Sequence, residues 1–154
     1  MKSFCVVNRQ FHRRIDGRFL RQIGLFLCRE LFAWDDYEIS LVVIDPFAMA
    51  RLNYDHLRHH GSTDVLTFNY SDSPAEFRGE IFISVSDAIL HARRFRRPWQ
   101  EEIVRYLVHG ALHLAGHDDL QPAARRVMKR EENRLLKELS QRFDLRKLEG
   151  RKNV

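Results

Sequence analysis

His109-Gly110-Ala111-Leu112-His113-Leu114-Ala115-Gly116-His117-Asp118-Asp119 combines the end of a helix with a run of metal-binding side chains. Histidines four apart on a helix project from one face, a turn apart. That spacing lets both imidazoles hold one ion at the ~2.0–2.1 Å of a zinc–nitrogen bond. Gly116 lies three residues beyond His113 and can take the left-handed conformation that ends a helix. The chain then turns back toward the face it has left, carrying His117, Asp118 and Asp119, all able to ligate. Asp118 or Asp119 has a second use, as the cap of the helix that follows. Two histidines, a helix break and a returning ligand predict a catalytic metal ion, zinc by its donor types, on this segment.

Outward from the segment the elements alternate. Pro98-Trp99 opens the metal helix, whose apolar positions are Ile103, Leu107, Val108 and Leu112. Pro122 falls in the first turn of a last helix with an apolar stripe of Val127, Met128, Leu135 and Leu139. Upstream, Phe4 to Val7, Ile39 to Ile44, Asp64 to Phe68 and Glu80 to Ser84 read as strands. Phe19, Leu20, Ile23, Leu27 and Leu31 recur at helical steps after Asp16-Gly17. A short helix is expected over Phe47 to Leu52, and a polar surface loop over Asn53 to Ser62. Ser86 or Asp87 caps a helix running to about Arg94. The basic tail from Arg142 to Val154 is expected to fray. The pattern predicts one α+β domain over residues 1–154, a small mixed sheet of about four strands flanked by helices, with a zincin-like metal helix.

A chain of 154 residues suffices for one core, and no apolar run approaches the ~20 residues of a membrane span. No signal-like stretch precedes Arg9, so a cytoplasmic location and no membrane partner are expected. Cys5 and Cys28 form no CxxC pair and read as core residues, not metal ligands. A net charge of +5 favours an anionic partner without naming it.

The frame of two histidines, a glycine three later and a ligand three beyond occurs in metzincin peptidases. In such enzymes a Glu follows the first His and acts as general base. Here that residue is Gly110, which argues against proteolysis. The fuller pattern resembles the YbeY family of bacterial rRNA maturation factors, metal-dependent endoribonucleases. Their H-G-x-L-H-L-x-G-Y-D-H signature is matched at His109, Gly110, Leu112, His113, Leu114, Gly116 and Asp118. Leu52-Asn53 with Thr63 to Phe68 resembles the family's upstream motif, and Gly79 to Ser84 its G-D-I-x-I-S strand.

The resemblance implies an endoribonuclease, a hydrolase of RNA phosphodiester bonds acting in rRNA maturation. The implied roles include 16S rRNA 3′-end processing and ribosome quality control, with rRNA and small-subunit ribosomal particles as partners. It implies one Zn²⁺ per chain, with Mn²⁺ or another divalent ion as substitute. The family's last ligand is usually His; Asp119 stands there, and His117 stands at its tyrosine position. Asp119 as an oxygen ligand is favoured, with His117 as the alternative that restores three nitrogens. The family's loop arginine has no ungapped match, since counting lands on Leu57. Arg58 beside it is the candidate for stabilising charge on the phosphorane, and Asp118 for moving a proton. His56, His59 and His60 enrich the same loop, as solvated surface or as substrate contacts.

Arg93, Arg94, Arg96 and Arg97 interleave with Phe95 and Trp99 as a single-strand RNA surface does. The same cations also suit a helix C-terminus. Arg142, Arg146, Lys147, Arg151 and Lys152 have the same two readings, rRNA contact or solvated tail. The competing functional reading is a ribosome-assembly RNA-binding factor with a structural metal and little turnover; a metallopeptidase comes third.

Overall fold

The strands form because β-branched and aromatic residues alternate with the two sides they must cover. The structure, a computed structural model, describes residues 1–57 and 64–150. Strands β1 (Lys2–Asn8), β2 (Tyr37–Ile44), β3 (Val65–Asn69) and β4 (Phe77–Ser84) make one sheet in the order β1-β2-β4-β3. β1, β2 and β4 are parallel; β3 runs antiparallel to β4 as the far edge.

Helix α1 (Gly17–Phe26) crosses from β1 to β2, capped by the Asp16 carboxylate on the Phe19 N–H. It continues into a π-helical turn, Leu27–Leu31. α2 (Pro46–Leu57), α3 (Val85–Arg94), α4 (Trp99–Leu114) and α5 (Pro122–Arg142) follow, then a 3₁₀ turn at Leu145–Glu149.

The sheet separates two apolar layers of unequal size. Ile39, Leu41, Val43, Ile81 and Ile83 face α1, α4 and α5 in the main core. Val42, Ile44 and Leu66 face the other way, against Met49 and Leu52 of α2. Period-two alternation sends neighbouring residues of β2 to opposite sides, both of them buried. α4 lies across β3 and β4 beneath α3 and α5, so it is apolar nearly all round.

The α+β architecture with four strands is the one expected. Several local expectations are corrected. α2 runs on to Leu57 where a loop was expected from Asn53, and Asn53 is buried. Ser84, not Ser86 or Asp87, caps α3, its hydroxyl accepting from the Asp87 N–H. Val127 is exposed, and Leu136 joins Met128, Leu135 and Leu139 in the core instead. Cys5 is exposed at the sheet edge; only Cys28 is core. The basic tail is ordered through Gly150, because Leu145 and Leu148, three residues apart, are buried against α1 and α4. Arg151 and Lys152 lie outside the described residues.

Candidate metal centre

α4 delivers the site because its last two turns end against the sheet edge. Its helix ends at Leu114, and Gly116, at φ 100°, reverses the chain as a left-handed residue. Gly110 has a different task. A Cβ there would come within 2.7 Å of Ile81 Cγ2 and 3.0 Å of Thr67 Oγ1, so α4 lies too close to β3 and β4 for any side chain. A glutamate base at this position would have nowhere to go without lifting the helix from the sheet.

His109, His113 and Asp119 offer ligand atoms within 4.8 Å of one another. His109 Nδ1 donates to Glu132 Oε2 at 3.1 Å, and His113 Nδ1 to the His117 carbonyl at 3.1 Å. Those acceptors put the ring protons on Nδ1 and leave both Nε2 atoms with lone pairs. The two Nε2 atoms are 3.2 Å apart, and Asp119 Oδ2 is 3.6 Å from one and 3.5 Å from the other. Three ligand-type atoms thus converge on one point. Bonds of ~2.0–2.2 Å in a tetrahedral shell set donors roughly 3.3–3.6 Å apart. The donor set therefore fits a small divalent ion. All three side chains keep part of their surface exposed, at 25, 29 and 39%. Three protein ligands with one open side is the arrangement of a catalytic metal site, whereas structural sites are closed.

Glu132 escaped the sequence reading. It sits on α5 between Met128 and Leu135, at the register of the apolar stripe, and is buried at 5% exposure. A carboxylate at a core position of an otherwise apolar stripe was the available signal. Burial alone would push its pKa up, but hydrogen bonds from His109 and Arg105, with Lys129 nearby, hold it down at about 2. Arg105 Nη1 donates to Glu132 Oε1 at 3.0 Å and its Nε lies 3.6 Å from Glu102 Oε1. Glu102, at 1% exposure, also meets His91 at 2.9 Å and Arg97 at 3.5 Å. A chain of alternating charge, buried at Glu102 and Glu132, thus runs from exposed Arg97 to the candidate ligand His109. Carboxylates behind a ligand histidine fix its tautomer and raise its basicity.

α5 also braces the returning ligand. Arg125 Nε donates to the Asp119 carbonyl at 3.0 Å and its guanidinium reaches the Leu120 carbonyl at 3.4 Å. Neither Asp118 nor Asp119 caps α5; Gln121 is its N-cap. Asp118 instead accepts from the Leu120 N–H at 2.9 Å and is exposed. His117 contributes its main-chain carbonyl, and the triplet contains Asp119. Arg58, His59 and His60 lie outside the described residues. His56 packs edge-on against Phe68. Arg93, Arg94 and Arg96 are exposed, while Arg97 is tied to Glu102 and lies over the Phe95 ring. Trp99 packs against the main core.

Two pockets flank the cluster and share His109 and Asp119. One, of about 370 Å³, is lined by Arg105, Arg125, Lys129 and Tyr106. The other, of about 430 Å³, runs along β3 past Thr67 and Asn69. Asp64, Asp119 and Glu132 also line the first pocket, so its three cations stand among three carboxylates, and Arg105 and Lys129 are both paired with Glu132.

Residues 8–140 match the family model described as Endoribonuclease YbeY. A protein of that name from Chlorobium phaeobacteroides is 42% identical over 89 residues, 58% of this chain and 64% of its own length. Its namesake from Salinibacter ruber is 36% identical over 106 residues, 64% of this chain and 68% of its own. The matched stretches thus span about two thirds of these curated relatives. The solution structure of TM1509 from Thermotoga maritima superposes with a TM-score of 0.67 over 90% of both chains, at 20% identity. That likeness concerns the fold.

Proposed function

Since the chain belongs to the YbeY family of endoribonucleases, we propose that it is a divalent-metal-dependent endoribonuclease of rRNA maturation, with the ion on His109, His113 and Asp119. Zinc is the proposed ion, and Mn²⁺ its best substitute, since a carboxylate among the ligands suits a harder cation. The observation that carries the reading is the convergence of three ligand-type side chains, two of them oriented from behind by Glu132 and the His117 carbonyl.

A bound ion would supply Lewis-acid charge and an acidified water. The chain's own residues do the rest. Glu132 holds His109 in its ligating tautomer. Arg125, which meets main-chain carbonyls and lines the pocket beside the cluster, would offer positive charge to a phosphate there. Arg58 keeps its proposed role against charge on the phosphorane, and Asp118 its proposed role in proton transfer, at the end of a short loop. Arg93, Arg94, Arg96 and Arg97 would extend the RNA path, with Arg97 also neutralising Glu102. The natural substrates on this reading are rRNA, including the 3′ end of 16S rRNA, and small-subunit particles within a cytoplasmic ribosome quality-control role.

The open side of the site speaks against a purely structural metal. Gly110, pressed against Ile81 and Thr67, speaks against a peptidase. The test is cleavage of a labelled structured RNA by purified protein, with and without chelator. Cleavage should stop on chelation, return with Zn²⁺ or Mn²⁺, and be absent from His113→Ala. An unchanged pattern in His113→Ala would end the nuclease reading.

A further inference from the structure

On the opposite edge of the sheet, beside β1, lies a groove of about 1020 Å³ that the metal site does not use. Its walls come from two distant segments, the loop after β1 and the 3₁₀ turn Leu145–Glu149. They are joined by the Asp16 N–H donating to the Leu148 carbonyl at 2.8 Å. Arg13 and Arg14 line one wall, Arg146 and Lys147 the other, and all four are exposed. Two carboxylates also line it, and both are engaged. Asp16 caps α1, and Glu149 accepts from Gln100 at 3.4 Å. Among the described residues, no ion pair engages the four cations. The lining thus carries a net positive charge, four cations against two carboxylates.

The loop that presents this charge is built, not slack. Gln10 is buried at 4% exposure, and its amide is used in full. Its Oε1 accepts from the His12 N–H at 2.8 Å and the Arg13 N–H at 3.1 Å. Its Nε2 donates to Asn8 Oδ1 at 3.0 Å and to the Arg13 carbonyl at 2.8 Å. The residue held out by this brace is Phe11, fully solvent-exposed at the groove mouth. Folding gives no return on a fixed, bare phenyl ring. A flat ring over a channel of cations is, however, the arrangement that takes a stacked base with its phosphates alongside.

We propose that this groove is a second RNA-binding site, gripping single-stranded RNA remote from the metal. Phe11 stacks a base, and Arg13, Arg14, Arg146 and Lys147 track the phosphates. The two sites sit on opposite edges of a four-stranded sheet, three strand spacings or roughly 14 Å apart at least. One strand of RNA can therefore be anchored at β1 and presented at β3. The choice of RNA over an acidic protein segment rests on the ribonuclease reading and on Phe11, since an acidic peptide has no base to stack.

The test is fluorescence anisotropy of a labelled single-stranded RNA in a His113→Ala background with chelator, so that neither cleavage nor a bound ion contributes. Phe11→Ala should weaken binding about 5- to 150-fold, the range of one lost base stack. Arg146→Ala with Lys147→Ala should flatten the slope of log affinity against log salt by about 1.4, from ~0.7 per phosphate contact. Gln10→Ala keeps every contacting side chain but removes the brace, and should fall between wild type and Phe11→Ala. Circular dichroism of each variant confirms the fold. Unchanged affinity and slope in Phe11→Ala and in the double variant would overturn the proposal. So would an acidic peptide that binds the groove while RNA does not. If the wild-type protein still cleaves RNA in that event, the ribonuclease reading stands without the groove. If groove binding is confirmed but no RNA is cleaved, the reverse holds.

Discussion

At His109, the difference between a helix bearing two histidines and a candidate metal centre is made by Glu132. The clustering of His109, His113 and Asp119 was legible in the sequence, because four residues on a helix and a glycine-broken return bring such side chains together. Glu132 was not, since a carboxylate on a charged, exposed helix reads as solvent-facing until its neighbours are known. Met128, Leu135 and Leu139 place it on the buried face. Its role predicts a graded response. Glu132→Gln keeps an acceptor for His109 Nδ1 and should lower zinc affinity about 10-fold; Glu132→Ala should lower it toward 100-fold. Competition with a chromogenic chelator reads both, and equal affinity in all three proteins would remove Glu132 from the site. Choosing between Asp119 and His117 needed the chain path after Gly116, which turns the His117 carbonyl, not its ring, toward His113.

Among the elements, long periodic segments were legible and their ends were not. Strand cores and α1, α4 and α5 were legible because apolar periodicity dominates them. Asn53 to Leu57 looked like loop because polar side chains mask a helix in which Asn53 is buried. The tail looked frayed because basic residues surround the two leucines that anchor it. Leu148→Ala should therefore cost about 2–5 kcal/mol in chemical denaturation, as for a buried leucine; a loss near zero would restore the frayed tail. The turn after α1 gives a second check. Burial pushes the Cys28 thiol up to about 12. The folded state thus favours the protonated thiol, so this contribution is intact below the unfolded value near 9 and is lost as pH rises from there toward 12. Cys28→Ser should flatten that alkaline decline. At neutral pH a thiol reagent should label exposed Cys5 and leave Cys28 unlabelled until the protein unfolds.

In the whole molecule, a sheet with a thick apolar layer on one side carries the metal helix within its core, so the fold does not need the ion to exist. The α+β class was legible from element order. The antiparallel placement of β3 at the edge was not, because pairing between separated segments leaves no local mark, and that edge lines a pocket beside His109, His113 and Asp119. Chelation should leave the far-ultraviolet circular dichroism unchanged. Zinc at a hundred times its dissociation constant should raise stability by about 2.7 kcal/mol. The most direct measurement is the zinc content of purified Asp119→Ala and His117→Ala after dialysis against a weak chelator, with RNA cleavage by the same samples. One zinc per chain and retained cleavage in His117→Ala, with both lost in Asp119→Ala, is the predicted result. Zinc and cleavage retained in Asp119→Ala but lost in His117→Ala would contradict the assignment of His109, His113 and Asp119 as the metal centre.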